Sequence, residues 1–307
     1  MNTRSRVVDI SLWLVLLAGF GAEKATAKDF PSLKGPYLGQ EQPGMMPEVF
    51  APGIISTKEN ELNAVFSPKG DEFYFAIHLP KPEDRYVIMV SRQVEGIWTR
   101  PEVAPFSGQY TDVDMTFSLD GKHLYFCSKR PVPQDPSPDY DIWVVHRSQN
   151  GGWSEPENLG LPVNTKGSET YPTFTNNGRM YHSSSREGGR GSKDIYYSTI
   201  TEGEYSNPVN LGEAINSQFG EGDTFVAPDE SYMIVTHWGG PKGEGLFISF
   251  KKQDGNWTKS IDMESILKRN IVGGCPMVTP DGKYFFYTSE GQIYWVDAKI
   301  IEQCRPK

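Results

Sequence analysis

The chain has 307 residues, 37% of them hydrophobic, 12% aromatic and 22% charged, and its 30 Lys and Arg against 39 Asp and Glu give a net charge of −9. That composition excludes a multi-span membrane protein, a coiled coil and a disordered polar chain. An acidic chain has no general attraction for polyanions, so nucleic acid is not an expected partner.

At the N-terminus, Arg4 and Arg6 precede an apolar run from Ile10 to Phe20, and Ala25-Thr26-Ala27 follows. This is the layout of a secretory signal peptide, with an apolar run too short to span a bilayer. The expectation is a protein exported to the periplasm or secreted, with residues 1–27 removed and no membrane span left. Residues 28–46 read as an N-terminal extension, 47–300 as one domain and 301–307 as a tail. Of the three cysteines, Cys127 and Cys275 are expected to be buried as small apolar groups, with a bridge from Cys304 to one of them left open.

From residue 64 onward one phrase recurs. It reads Ala64-Val65-Phe66-Ser67-Pro68-Lys69-Gly70, Met115-Thr116-Phe117-Ser118-Leu119-Asp120-Gly121 and Pro172-Thr173-Phe174-Thr175-Asn176-Asn177-Gly178. It returns as Thr224-Phe225-Val226-Ala227-Pro228-Asp229-Glu230 and Pro276-Met277-Val278-Thr279-Pro280-Asp281-Gly282. Each copy leads into an aromatic strand, a loop, a third strand such as Asp141-Ile142-Trp143-Val144-Val145, and a turn into a fourth, as at Gly152-Trp153. A strand-rich period near fifty residues is the mark of propeller blades. The fifth unit ends after its third strand, and Pro47-Glu48-Val49-Phe50 resembles the fourth-strand phrase Pro101-Glu102-Val103-Ala104. The fold class expected is therefore all-β, a five-bladed β-propeller of four-stranded antiparallel blades, closed by an N-terminal strand that leaves no open edge.

Phe66-Ser67-Pro68-Lys69-Gly70, Pro280-Asp281-Gly282-Lys283, Ser184-Ser185-Arg186-Glu187-Gly188-Gly189 and Asn210-Leu211-Gly212-Glu213-Ala214-Ile215-Asn216-Ser217 resemble the WD40-like β-propeller repeat of TolB-type periplasmic proteins. The resemblance spans about residues 40–300. It implies an exported propeller that binds something, often in the envelope; the sequence departs from TolB in showing five units and no obvious separate N-terminal α/β domain.

Five residues before each anchor (Phe66, Phe117, Phe174, Val226, Val278) stand Glu61, Asp112, Glu169, Glu221 and Gly273; three before stand Asn63, Asp114, Tyr171, Asp223 and Cys275. Simple alternation places these sets on one side of the innermost strands, as two tiers of acid at a channel mouth. A tight hairpin sets Glu61 against His78, Asp112 against Lys129, Glu169 against Arg186 and Glu221 against Trp238; a bulge shifts the partners by one, to Arg130 or His237. The candidate ligand-binding set is thus Glu61, His78, Asp112, Asp114, Arg130, Glu169, Tyr171, Arg186, Glu221, Asp223, His237 and Trp238.

Such an acid-rich mouth favours a divalent cation such as calcium, an amine or a hydroxyl-rich ligand. The competing reading makes the same acids structural ion pairs and caps of backbone amides. No nucleophile elbow, zinc-helix, phosphate-loop or C-x-x-C signature is present. The expected function is a non-catalytic, monomeric binding module for an envelope protein, glycan or small polar ligand. The alternative is a glycan hydrolase of the five-bladed arabinanase type that uses inner-strand carboxylates.

Overall fold

The computed structural model describes residues 30–132, 139–240 and 243–306; the expected signal peptide lies outside them. Aromatic and β-branched runs punctuated by tight turns form five antiparallel sheets. Blade 1 contains Glu61–Phe66, Glu72–Leu79 and Arg85–Val94, with Ile97–Trp98 and Glu102–Val103 both on its third strand. Blade 2 is Asp112–Phe117, His123–Ser128, Asp141–His146 and Glu157–Asn158. Blade 3 runs Glu169–Phe174, Arg179–Ser184 and Asp194–Thr201, followed by Glu204–Tyr205 and Val209–Asn210. Blade 4 is Gly220–Val226, Tyr232–Gly240, Gly243–Phe250 and Ile261–Asp262.

Blade 5 supplies three strands of its own, Gly274–Val278, Tyr284–Ser289 and Gln292–Asp297. Its fourth is Glu48–Val49, paired antiparallel as Glu48↔Trp295 and Val49↔Tyr294. The circular closure expected from the sequence is therefore present. It is held by more than two ladder pairs. Phe50 is fully buried, and its ring lies 5.1 Å from Trp295, 5.0 Å from Phe286 and 5.2 Å from Phe73, so it locks blade 5 to blade 1.

The segment before that strand also packs down. Trp98 Nε1 donates to the Gly35 carbonyl at 2.8 Å, and the Tyr37 hydroxyl donates to Asp281 at 2.7 Å. At the other end Ala298–Cys304 forms a 3-10 turn that buries Ile300, Ile301 and Cys304. All three cysteines are buried and free, so Cys304 makes no bridge. Among the described residues no helix is long and apolar enough to cross a membrane.

Candidate functional site

The first strand of every blade carries a bulge. Pairing slips between Leu62 and Ala64, Val113 and Thr116, Thr170 and Thr173, Gly222 and Thr224, and Gly274 and Met277. Four residues inside these slips, Asn63, Asp114, Tyr171 and Cys275, have φ between 54° and 57°. An extra residue in a left-handed conformation breaks the two-residue alternation. The two tiers read from the sequence therefore do not share a side, and they have different jobs.

The outer tier is structural. Glu61, Asp112, Glu169 and Glu221 are fully buried, and each grips the connection that enters its own blade. Glu169 accepts from Thr165 N at 2.8 Å, Thr165 Oγ1 at 2.8 Å and Ser184 Oγ at 2.6 Å. Glu221 accepts from Ser217 N at 2.9 Å and Ser217 Oγ at 2.5 Å. Glu61 takes Thr57 N at 3.1 Å together with the Thr57 hydroxyl, and Asp112 takes Ser107 Oγ at 2.7 Å and Ser128 Oγ at 2.6 Å. Blade 5 has Gly273 here because a Cβ would sit 1.9 Å from the Thr288 carbonyl oxygen.

The bulge also corrects the partners expected from a plain hairpin. Glu61 faces Ile77 rather than His78, whose Nε2 turns outward to Asp84 at 3.3 Å. Asp112 faces Ser128, and Arg130, not Lys129, reaches its carboxylate at 3.2 Å. Glu169 faces Ser184, with Arg186 close by at 3.6 Å. Glu221 faces His237, not Trp238. Burial raises the Glu169 carboxyl and lowers the Arg186 guanidinium, so desolvation outweighs their mutual attraction. These are buried clamps; Glu61 keeps one oxygen, Oε2, without a hydrogen-bond partner, but that atom too is buried.

The inner tier lies at the axis. Asn63 donates through Nδ2 to the Tyr171 hydroxyl at 2.7 Å, and its Oδ1 accepts from Met115 N at 2.9 Å. Tyr171 N donates to Cys127 Sγ at 3.3 Å, and Cys275 N to Asp223 Oδ2 at 3.0 Å. Each of these bonds joins different blades. Asp114 and Asp223 differ from their neighbours in keeping part of their surface open to solvent. The protein around them still raises both carboxyls: burial is the main cause for each, and repulsion from Asp223 then helps push Asp114 up to about 8.

A third set of residues, not singled out from the sequence as a group, surrounds that pair. Ile88, Ile142, Ile195 and Leu246 hold equivalent buried places in the third strands. Two residues before them stand Tyr86, Tyr140, Lys193 and Glu244. Lys193 Nζ donates to Thr170 Oγ1 at 2.9 Å and its charge draws the carboxyls of Asp114 and Asp223 down. Burial raises the Tyr86 and Tyr140 phenols, and the Asp114 charge adds to both. Glu244 is raised by burial and then by Asp223, while Trp238 hydrogen-bonds to it. The Trp238 ring lies against Gly222, where a Cβ would meet it at 1.8 Å, so only a glycine leaves room for the indole there.

The result is a cluster of three carboxyl groups, one ammonium, two phenols and one indole. Its composition changes from blade to blade, in contrast to the near-uniform outer tier. A calcium site fits it poorly: among the described residues no group of three or more His, Cys, Asp or Glu side chains is gathered to hold a metal ion. The outer acids are each spent on their own loop.

No protein-family model matches the chain, and no curated protein does. Solved structures do. TolB from Acinetobacter baumannii is 13% identical with a TM-score of 0.49, over 79% of this chain and 55% of that one. The catalytic domain of an α-L-arabinofuranosidase from Coprinopsis cinerea is 11% identical with a TM-score of 0.48, over 83% and 97%. A putative TolB from Agrobacterium tumefaciens is 13% identical with a TM-score of 0.44, over 74% and 88%. The chain thus spans about half the length of the Acinetobacter protein. The five antiparallel sheets show the propeller fold on their own evidence.

Proposed function

We propose that this protein is an exported, TolB-like propeller that acts as a binding module and holds a small amine-bearing ligand in the axial cluster. The observation that carries the reading is the gathering of acids around Gly274, where a Cβ would meet both Asp223 Oδ2 at 2.6 Å and Glu244 Oε1 at 3.1 Å, with Asp114 close enough to be raised by the Asp223 charge. Two carboxylates that repel one another are relieved by a cation placed between them. Lys193 supplies one positive charge against three acids that share one retained proton at neutral pH, and phenol and indole faces attract a second cation.

For the hydrolase alternative, inner-strand carboxylates such as Glu61, Asp112, Glu169 and Glu221 are each engaged in buried hydrogen bonds. Binding therefore accounts for the site better than hydrolysis by those groups. The experiment is a calorimetric titration of the folded protein with putrescine, ethanolamine and butanediol. Saturable binding of the amines but not of the diol, lost in the pair Asp114→Asn and Asp223→Asn, is the expected outcome. Equal binding of the diol, or amine binding untouched by the two substitutions, overturns the reading.

A further inference from the structure

Where the second strand of a blade begins, its first residue lies opposite a residue of the third strand, and the blades share this register. The pairs are Glu72↔Arg92 in blade 1, His123↔His146 in blade 2 and Arg179↔Thr199 in blade 3. In blades 1 and 3 the position ties one blade to the next. Glu72 lies 3.4 Å from Arg92, and Arg147 of blade 2 reaches the same carboxylate. Arg179 meets Glu230 of blade 4 at 3.0 Å.

Blade 2 has two imidazoles here instead. Arg147 N donates to Lys122 O and Ile200 N to Gly178 O, the same bond one blade on, so Ile200 stands in blade 3 where Arg147 stands in blade 2. An isoleucine brings no charge to the junction, and the histidine pair is left out of the inter-blade ion network.

The two rings lie 5.0 Å apart between centroids and nearly perpendicular, at 87°. Their side chains are 35% and 41% exposed, so solvent reaches both. Each ring has a carboxylate on one side. Asp120 Oδ1 is 4.0 Å from His123 Nδ1, and the turn holds that carboxylate through Ser118 Oγ at 2.7 Å and Lys122 N at 3.1 Å. Glu157 Oε2, from the fourth strand, lies 3.4 Å from His146 Nε2. The other nitrogen of each ring, His123 Nε2 and His146 Nδ1, has no hydrogen-bond partner among the described residues.

This spacing suits a chelate. A metal–imidazole bond of about 2.0–2.1 Å places the ion about 3.2 Å from the ring centroid, and two rings meeting at a roughly tetrahedral angle then have centroids about 5 Å apart. A carboxylate on the far nitrogen fixes the tautomer of a ligating imidazole and raises its basicity. Among the described residues no third His, Cys, Asp or Glu completes the set, which leaves the other coordination positions to water.

We propose that His123 and His146 form an open surface site for a divalent transition-metal ion of the Zn²⁺, Ni²⁺ and Cu²⁺ class, apart from the axial cluster. Imidazole suits these ions, whereas Ca²⁺ and Mg²⁺ seek oxygen. The test titrates the folded protein, free of any histidine tag, with Zn²⁺ and Ni²⁺ by calorimetry, with Ca²⁺ and Mg²⁺ as controls. His123→Gln and His146→Gln each remove one nitrogen; His78→Gln, at an imidazole that faces Asp84, is the surface control. Electron paramagnetic resonance of the Cu²⁺-loaded protein counts bound imidazoles in the wild type, so a misfolded variant leaves the question decidable.

The expected result is saturable one-to-one binding of Zn²⁺ and Ni²⁺, weakened at least about tenfold by either variant and unchanged by His78→Gln, with two imidazoles on Cu²⁺. Four results overturn the proposal: no saturation with either ion, equal affinity for Ca²⁺ or Mg²⁺, full affinity in folded His123→Gln and His146→Gln, or a single imidazole on wild-type Cu²⁺. Asp114 and Asp223 are unaltered throughout, so failure here leaves the axial reading standing.

Discussion

Asn63 and Tyr171, from blades 1 and 3, hydrogen-bond directly to one another at 2.7 Å, and both are buried. The bond spans the axis, and Asn63 also feeds blade 2 through Met115 N. Tyr171→Phe strands the buried Asn63 amide and is expected to cost about 1–3 kcal/mol. Asn63→Ala loses both bonds and a residue type tolerant of a left-handed backbone, so it should cost more. Urea unfolding of the two variants checks the order; a larger loss in Tyr171→Phe would contradict it.

The outer-tier carboxylates support the fold. Glu169→Ala leaves Arg186 buried without its carboxylate and strands Thr165 and Ser184. A loss of about 3–5 kcal/mol is expected, with amine affinity unchanged while the protein remains folded. Parallel melting and binding curves test both halves.

Stability should depend on pH in two opposing ways. Asp114 titrates at about 8 in the fold against 3.8 for an ordinary aspartate, so the folded chain binds more protons in that window. Its contribution therefore weakens as pH rises through the window. His182, buried, and His237, partly buried, are neutral rings lowered by desolvation to about 3 and about 4 from 6.5. There the unfolded chain binds more protons, and stability is lost as pH falls below 6.5. Between about pH 5 and pH 9 the melting temperature should peak near 6.5. Asp114→Asn should flatten the alkaline limb and His237→Phe the acid limb; unaltered limbs in both would refute the assignment.

Closure rests on a short strand and one ring. Phe50→Ala opens a cavity between blades 5 and 1 and should cost about 3–5 kcal/mol. Pairing of Glu48 and Val49 should weaken with it, seen as faster amide exchange at Trp295 and Tyr294 than at the central strand of blade 2.

The wheel was legible because its punctuation repeats. The turn residues, aromatic strands and Pro-Glu-Val phrase of residues 47–49 each state a local geometry that only a closed ring reconciles. The site was legible only in part. Asn63 and Asp114 are residue types that tolerate a left-handed backbone, but Tyr171 and Cys275 are not, so the recurring bulge stayed hidden and the outer acids were placed at the mouth. Arg130 and His237 emerged only as bulge-shifted options. Lys193 sits at the end of a glycine-rich loop and Glu244 between two glycines. Their common position appears only after the third strands are aligned by their hydrogen-bond register.

The axial reading makes one demand that a structural pair of acids would not. At neutral pH the Asp114–Asp223 pair retains a proton, and a bound ammonium group must displace it. Calorimetric titration of putrescine at pH 7 in two buffers of different ionisation enthalpy counts that proton. A large part of one proton released per ligand, vanishing in Asp114→Asn, is the predicted result; amine binding without proton release would contradict the account.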